Sequence, residues 1–414
     1  MRWSVDGAPA IERFLILGAG LAGVSAAEAL RKEGFDGSIT LLGEEPDRPY
    51  DRPPLSKKYL RGESPLDKIA LKPADFYDSN DIELALGVRA TRIETEGSRV
   101  HFDGEPNLLE YDKLLIATGS RNRRLKVPGA DLEGVLGLRT LADAYRIRSE
   151  AQAGRHAVLI GMGFIGSEVA ASLRQTGLEV TVIEALRVPL ENALGTEVGK
   201  VIEGIHRDHG VDVRLGEKVA GLAGTGRLEG VTTGGGETIG CDIAVTGVGV
   251  RPATGLAEES GIKVDDGIVV DERCRTSAPG VYAAGDVTRH FHPIAGRYIR
   301  VEHWQNAMKQ GQAAAVSMLG KAGDYREVHW FWSDQYEFNI QYAGFHTEWD
   351  RLVLRGILED RKFVGFYLKD SRVVAAVAIN NGRDLRRAKE LIRTGAAIDP
   401  ELLADPDVDL RKIL

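Results

Sequence analysis

The chain has 414 residues, room for roughly three domains at about 150 residues each. With 43% hydrophobic and 28% charged residues its composition is that of a folded globular protein, which excludes a disordered chain or a small disulfide-stapled scaffold. Lys+Arg 53 against Asp+Glu 61 gives a net charge of −8, which argues against a general attraction to nucleic acid or anionic membrane.

Residues 1–12 lack an apolar run and read as a loose extension, not a signal peptide. Arg13–Leu17 is a predicted buried strand. It runs into Gly18-Ala-Gly20-Leu-Ala22-Gly23, a helical pattern reaching Lys32 and Gly34, and a second strand, Ser38–Leu42. Glu44 follows Gly23 at about the 20-residue distance expected of a dinucleotide-binding β-α-β unit. The construction returns later: strand His156–Ile160, turn Gly161-Met-Gly163-Phe-Ile165-Gly166, a helix to Gln175, strand Glu179–Ile183, and then Glu184. One such turn is a weak signal. Two, each between a strand and a helix and each followed by an acid, predict two nucleotide sites. The glycines let a pyrophosphate approach backbone N–H groups at a helix N-terminus, and the acid can bind a ribose. A carboxylate at Glu184 favours NAD over NADP, with Arg187 close by in sequence.

The eleven-residue segments Tyr111–Arg121 and Cys241–Arg251 share Asp, Gly and Arg at equivalent places: Asp112 with Asp242, Gly119 with Gly249, Arg121 with Arg251. One dinucleotide domain is therefore expected to be inserted in another. The outer domain spans 1–121 and 255–327, with a strand at Gly280–Ala284, and the inner domain spans 122–254. After about Glu327 short alternating strands (339–343, 351–355, 363–368, 372–377) and a basic helix (382–393) predict a smaller α+β domain, 328–414. No run of about 18 apolar residues occurs, so no membrane span is predicted. The two cysteines, Cys241 and Cys274, can form neither a disulfide framework nor a four-thiolate metal site, and a cytoplasmic location is expected.

The 18–23 turn, Arg48-Pro-Tyr-Asp-Arg52-Pro-Pro-Leu-Ser-Lys57, Ala117-Thr118-Gly119-Ser120, Gly285-Asp286 and Phe331-Trp-Ser-Asp-Gln-Tyr336 resemble the oxygenase-coupled NADH-dependent ferredoxin reductases. These include the reductases of the putidaredoxin, biphenyl dioxygenase and toluene dioxygenase systems. The resemblance runs over nearly the whole chain. It implies a glutathione-reductase-like α/β fold, with FAD in the outer domain and NAD in the inserted one. Electrons would pass from NADH through FAD to a [2Fe–2S] ferredoxin serving a Rieske dioxygenase or a cytochrome P450. Disulfide-handling relatives need cysteine in the stretch corresponding to Glu44–Lys57, and here there is none.

The resemblance also assigns residues. Ala22 lies beside the FAD pyrophosphate, Ala90 at the adenine, Arg139 on FAD, Asp286 on the ribityl chain after Gly285, and Trp304 at the pyrimidine edge of the flavin. Lys57 reaches flavin N5, and a pair with Glu168 on the helix of the second turn is expected there. Arg52, Ala117, Thr118, Gly119, Ile165 and Gly249 complete the expected cofactor contacts. The helix predicted from Trp304 to about Met318 points its N-terminus at the flavin. Trp330 and Trp332 read more readily as packing than as electron relays. Two basic runs are candidates for an acidic ferredoxin: Arg383, Arg386, Arg387, Lys389 and Arg393 on the last helix, and Arg121, Arg123, Arg124 and Lys126. His290-x-His292 and His206-x-x-His209 lack an evident third ligand and read as surface residues, so no metal is expected. Alternatives on the same scaffold are a rubredoxin reductase or an NADH oxidase. An alternative of another class is a redox-sensing flavoprotein resembling apoptosis-inducing factor.

Overall fold

A computed structural model describes residues 11–104, 107–321 and 323–413. The extension expected over 1–12 lies, up to residue 10, outside the described residues. The chain divides into two compact units, one of Met1–Asp51, Ile69–Arg121 and Arg251–His329, the other of Arg52–Lys68, Asn122–Val250 and Trp330–Leu414.

The first unit is built on a five-stranded sheet ordered Val281–Ala283, Lys113–Ile116, Arg13–Leu17, Ser38–Gly43, Ile82–Leu86, parallel throughout. Arg13–Leu17 is central, and its apolar run from Phe14 to Leu17 is buried on both faces, as a strand covered by helices must be. The helix Leu21–Lys32 packs against Trp304–Met318. They cross closely: a Cβ at Gly311 would stand 2.2 Å from the Ala22 carbonyl oxygen, so only glycine fits there. Smaller antiparallel sheets join Arg89–Glu94 with Arg99–Asp103 and Leu108–Glu110, and Thr288–His292 with Arg297–Ile299.

The second unit repeats the parallel arrangement. Its sheet is ordered Asp212–Leu215, Glu179–Glu184, His156–Ile160, Ile243–Thr246, Val135–Gly137. The repeated aspartate has a structural cause. Asp112 accepts the Arg13 N–H at 2.8 Å, and Asp242 accepts the Arg155 and His156 N–H groups at 2.7 and 3.0 Å. Each carboxylate ties down the free start of the strand that leads to its glycine turn.

Residues 330–414 form an antiparallel sheet ordered Trp330–Gln335, Phe338–Gly344, Arg372–Ile379, Lys362–Lys369, Arg351–Ile357. The helix Gly382–Thr394 buries Leu385, Ala388, Leu391 and Ile392, one face at 3–4-residue spacing, and turns its arginines outward. It is not the last helix, as the sequence suggested. Pro400–Ala404 follows, and buried Arg355 fixes the tail by donating to the Pro406 and Val408 carbonyls at 3.0 and 2.8 Å. Helix Glu191–Asp208 also joins this core, with Leu194, Val198, Ile202 and Ile205 packed among Ile340, Phe363 and Tyr367.

Candidate active site

The two glycine turns have the same physical division of labour. Gly18 (φ 116) and Gly161 (φ 97) turn the chain in the left-handed region. A Cβ on them would meet the Ala117 carbonyl at 2.2 Å and the Gly247 carbonyl at 2.7 Å. Gly23 and Gly166 seat the helix on the turn, with a Cβ there meeting the Gly18 and Gly161 carbonyls at 2.0 and 2.2 Å. At Gly20 and Gly163 a Cβ would meet nothing within 4 Å. These two glycines are also the N-caps of their helices, and no side chain caps either one. The first-turn N–H groups of both helices, lacking intrahelical partners, adjoin open space where a phosphate oxygen can sit. This arrangement fits a dinucleotide pyrophosphate at each turn.

Around the first turn, Gly285 (φ 84) lies beside Ala22 and gives its N–H to Gln310 at 2.8 Å. Asp286 accepts a hydrogen bond from Ser120 at 3.1 Å, and the Thr118 hydroxyl donates to the Ala253 carbonyl at 3.1 Å. Gly119 (φ 68) follows Ala117 and Thr118 at the end of the neighbouring parallel strand. Glu44 is exposed at the end of the second strand and pairs with Arg121 at 2.8 Å. Ala90 sits at an irregularity in the pairing of its strand with Arg99–Asp103. Trp304 opens its helix and donates its indole N–H to Asp51 at 2.6 Å.

Around the second turn Glu184 is buried. Its carboxylate accepts the Met162 N–H, inside the turn, at 2.6 Å and the Leu186 N–H at 2.9 Å. A carboxylate has about four acceptor positions, so room remains for ribose hydroxyls. Ile165 is an exposed apolar residue on the first helical turn, and Gly249 (φ 91) accepts the Arg123 N–H at 2.9 Å. Arg187 is outside this group, paired with Glu191.

Glu168, on the helix Phe164–Gln175, is 2% exposed. Lys57 Nζ stands 2.8 Å from it. Ser56 donates to the same oxygen as Lys57, and Ser333 donates to the other at 2.7 Å. A buried carboxylate is costly unless paired, and donors meet both oxygens of this one. Lys57 is held in turn by the Pro53 carbonyl, and its segment is anchored where Ser172 donates to the Ser56 carbonyl at 2.6 Å. Gln335 donates to Ser333 at 3.1 Å and faces buried His206 at 3.0 Å. Arg52 donates to the Arg139 carbonyl, so these two predicted residues also meet. Sequence reasoning found Lys57 and Glu168 but missed Ser56 and Ser333, which lay inside quoted motifs without an assigned role.

Cys241 and Cys274 are free and buried; burial pushes the Cys241 thiol up to about 12 and Cys274 higher still, so neither supplies a thiolate. Trp330 and Trp332 stack with ring centroids 5.3 Å apart, each with its N–H donated to a neighbouring side chain. Arg383, Arg386, Arg387 and Arg393 are exposed, as are Arg121, Arg123, Arg124 and Lys126, while Lys389 is half-buried.

The histidines differ from expectation. His290 and His292 are buried, not surface residues, because both lie on the inward face of Thr288–His292. His329 joins them as the third group that spacing did not reveal. His206 is buried as well, and burial lowers its pKa to about 4. His209 stacks on Tyr336.

Residues 12–311 match the family described as pyridine nucleotide-disulphide oxidoreductase, and residues 330–414 match the reductase C-terminal family. Rhodocoxin reductase of Rhodococcus erythropolis is 41% identical over 96% of this chain and 93% of its own. The anthranilate 1,2-dioxygenase system ferredoxin–NAD(+) reductase component of Burkholderia cepacia is 41% identical over 97% and 99%. Among solved structures, the reductase of the covalent putidaredoxin reductase–putidaredoxin complex superposes with TM-score 0.94 at 34% identity, covering 98% of both chains. The ferredoxin reductase for the CYP199A2 system of Rhodopseudomonas palustris superposes at 0.93 with 35% identity, covering 97% of this chain and 99% of its own.

Proposed function

Because the chain belongs to the pyridine nucleotide-disulphide oxidoreductase family, we propose that it is an NADH:ferredoxin oxidoreductase that feeds a Rieske dioxygenase or a cytochrome P450 through a [2Fe–2S] ferredoxin. It is an oxidoreductase using FAD and a nicotinamide dinucleotide. The reading is carried by the duplicated cradle, two uncapped helix N-termini each opening on a glycine with free space before it. The ferredoxin as acceptor is supported by relatives named for ferredoxin reduction in dioxygenase and P450 systems.

Bound FAD supplies the conversion of a hydride from NADH into single electrons. The chain's own residues do the positioning. Gly18, Gly20, Ala22 and Gly23 bind the FAD pyrophosphate, with Glu44 on the ribose, Ala90 at the adenine and Gly285 and Asp286 at the ribityl chain. Ala117, Thr118 and Gly119 line the same side, and Arg52, Arg139 and Trp304 complete the FAD contacts. Gly161, Gly163, Ile165, Gly166 and Gly249 hold NAD, and the Glu184 carboxylate repels a 2′-phosphate. Lys57, tied to Glu168, would donate a hydrogen bond to the flavin, and Glu168 would hold it in place.

We propose functional domains of 1–121 with 255–327 for FAD, 122–254 for NAD, and 328–414, bounds that differ from the compact units chiefly in residues 52–68. Among the described residues no helix is long and apolar enough to cross a membrane. We propose a cytoplasmic location on the strength of the two unpaired cysteines. Arg386 and Arg387, exposed on their helix, are proposed to steer an acidic ferredoxin.

The test is NADH-driven cytochrome c reduction with and without a [2Fe–2S] ferredoxin. A yellow protein whose turnover depends on ferredoxin is expected. A colourless chain that FAD cannot reconstitute, or equal turnover without ferredoxin, overturns the reading. Reversing charge at Arg386 and Arg387 should slow the ferredoxin step and leave bleaching of the flavin by NADH intact. No change in the ferredoxin step removes that helix from the docking surface.

A further inference from the structure

Three histidines converge in the interior of the first unit. His290 and His292 project from the same face of Thr288–His292, and His329 reaches them from the segment after the helix Trp304–Met318. The ring centroids lie 5.7 Å apart for His290–His292, 5.4 Å for His290–His329 and 4.7 Å for His292–His329. One ring nitrogen from each falls within 4.8 Å of the other two. Their exposures are 1%, 3% and 1%.

Both ring nitrogens of His290 and both of His329 lack a hydrogen-bond partner among the described residues. A neutral imidazole carries one N–H and one lone pair, and buried polar groups in folded proteins are nearly always satisfied. Each of these two adjacent rings has a lone pair that no donor among the described residues meets, which leaves room for a group that takes lone pairs from several imidazoles at once, with the remaining N–H of each ring turned away from it. A metal ion is such a group.

We propose that His290, His292 and His329 form a binding site for one divalent transition-metal ion of zinc type. The donor set selects the class. Imidazole nitrogen suits zinc, copper, nickel and cobalt, whereas magnesium and calcium need oxygen ligands, and no carboxylate among the described residues joins this group. His292 has the outer contact that metal-binding histidines use: its Nε2 lies 2.9 Å from the Glu327 carbonyl, which as acceptor fixes the proton there and leaves the lone pair on Nδ1. That lone pair now accepts the Ala295 N–H at 3.2 Å, a long bond from a half-exposed turn, and the metal takes its place. Three histidines leave a fourth position for water or a small anion. The bound ion staples the segment ending at His329 to the strand that follows Gly285-Asp286.

The test uses the flavin-loaded protein, treated with a chelator, incubated with zinc chloride and desalted, with zinc and flavin then counted together. About one zinc per chain should survive desalting, and zinc, but not magnesium at equal concentration, should raise the melting temperature. The double variant His290→Gln/His329→Gln should bind zinc at least about tenfold more weakly while keeping its flavin. Anomalous scattering at the zinc edge should place the ion between the three rings. Failure of the wild-type protein to retain zinc overturns the proposal without reference to any variant. Equal retention by the double variant also overturns it, since the zinc then sits on other residues.

Discussion

Glu168 is buried, in a place where an unpaired carboxylate would be costly. Lys57, Ser56 and Ser333 all turn donors toward it. Two effects of substitution separate. Glu168→Ala leaves the Lys57 ammonium without its partner, which should cost on the order of 3 kcal/mol of stability. It should also slow bleaching of the flavin by NADH in stopped flow; an unchanged rate and NADH affinity would dismiss a role in hydride transfer. Ser333→Ala removes the hydrogen bond to Glu168, worth about 2 kcal/mol, and also the acceptor of the Gln335 amide. In the Glu168→Ala background the part due to the carboxylate should vanish and only the lost acceptor for Gln335 should remain, so the loss should shrink. Urea midpoints for the four proteins measure the coupling, and additive losses would mean that Ser333 acts independently. The Lys57–Glu168 pair was legible in the sequence because each residue sits at a fixed place in a motif. Ser333 was not, because its partner is 165 residues away and a serine in a strand carries no sign of what it faces.

The glycine turns give the sharpest test of whether these elements are nucleotide cradles or merely tight connections. Gly163 has φ −74 and free space around a Cβ, so Gly163→Ala should fold normally, with a melting temperature near wild type. If the space before it receives the NAD pyrophosphate, the added methyl should raise the KM for NADH about tenfold or more. Gly166→Ala drives a Cβ to 2.2 Å from the Gly161 carbonyl and should destabilise the unit itself. A wild-type KM in Gly163→Ala would make the turn an ordinary one. Both parallel cores were readable because their strands are short apolar runs followed by glycine turns and helical periodicity. Asp112 and Asp242 were noticed only as a repeat; their work as anchors of strand starts needed coordinates. The strand Trp330–Gln335 was quoted as a motif, not read as a strand, since its inward residues include Ser333 and Gln335, polar groups buried by hydrogen bonding rather than by apolar pattern. The same blindness hid His290 and His292: alternation on a strand decides burial, and histidine is as common outside as inside.

At the scale of the molecule, the compact units cut across the expected domains. Residues 52–68 group with 122–250, because Leu60 is buried in the core beneath His156–Ile160 and Lys57 is tied to Glu168. No local pattern announces a loop whose partners lie a hundred residues on. Both units share another property, a set of histidines held neutral by burial: His290, His303 and His329 in the first, His206 and His346 in the second. His303, His206 and His346 are each lowered to about 4 and His290 to about 3, with His329 well below its ordinary value. In the unfolded chain the same groups titrate near about 6.5. As pH falls below that point the unfolded chain takes up protons that the folded chain refuses, so stability is whole above about 6.5 and declines toward the folded values, by up to about 1.4 kcal/mol per pH unit for each such group. Carboxylates held below their usual range, such as Asp242 beneath two backbone N–H groups, lose their contribution only below about pH 4. The interval from about pH 6.5 to 5 therefore isolates the histidines. Urea midpoints should fall steadily across it, and unfolding there should take up protons, measurable as a dependence of the unfolding enthalpy on buffer ionisation. A midpoint that stays level between those pH values would mean that these rings are protonated in the folded state, and that their burial is not what sets their charge.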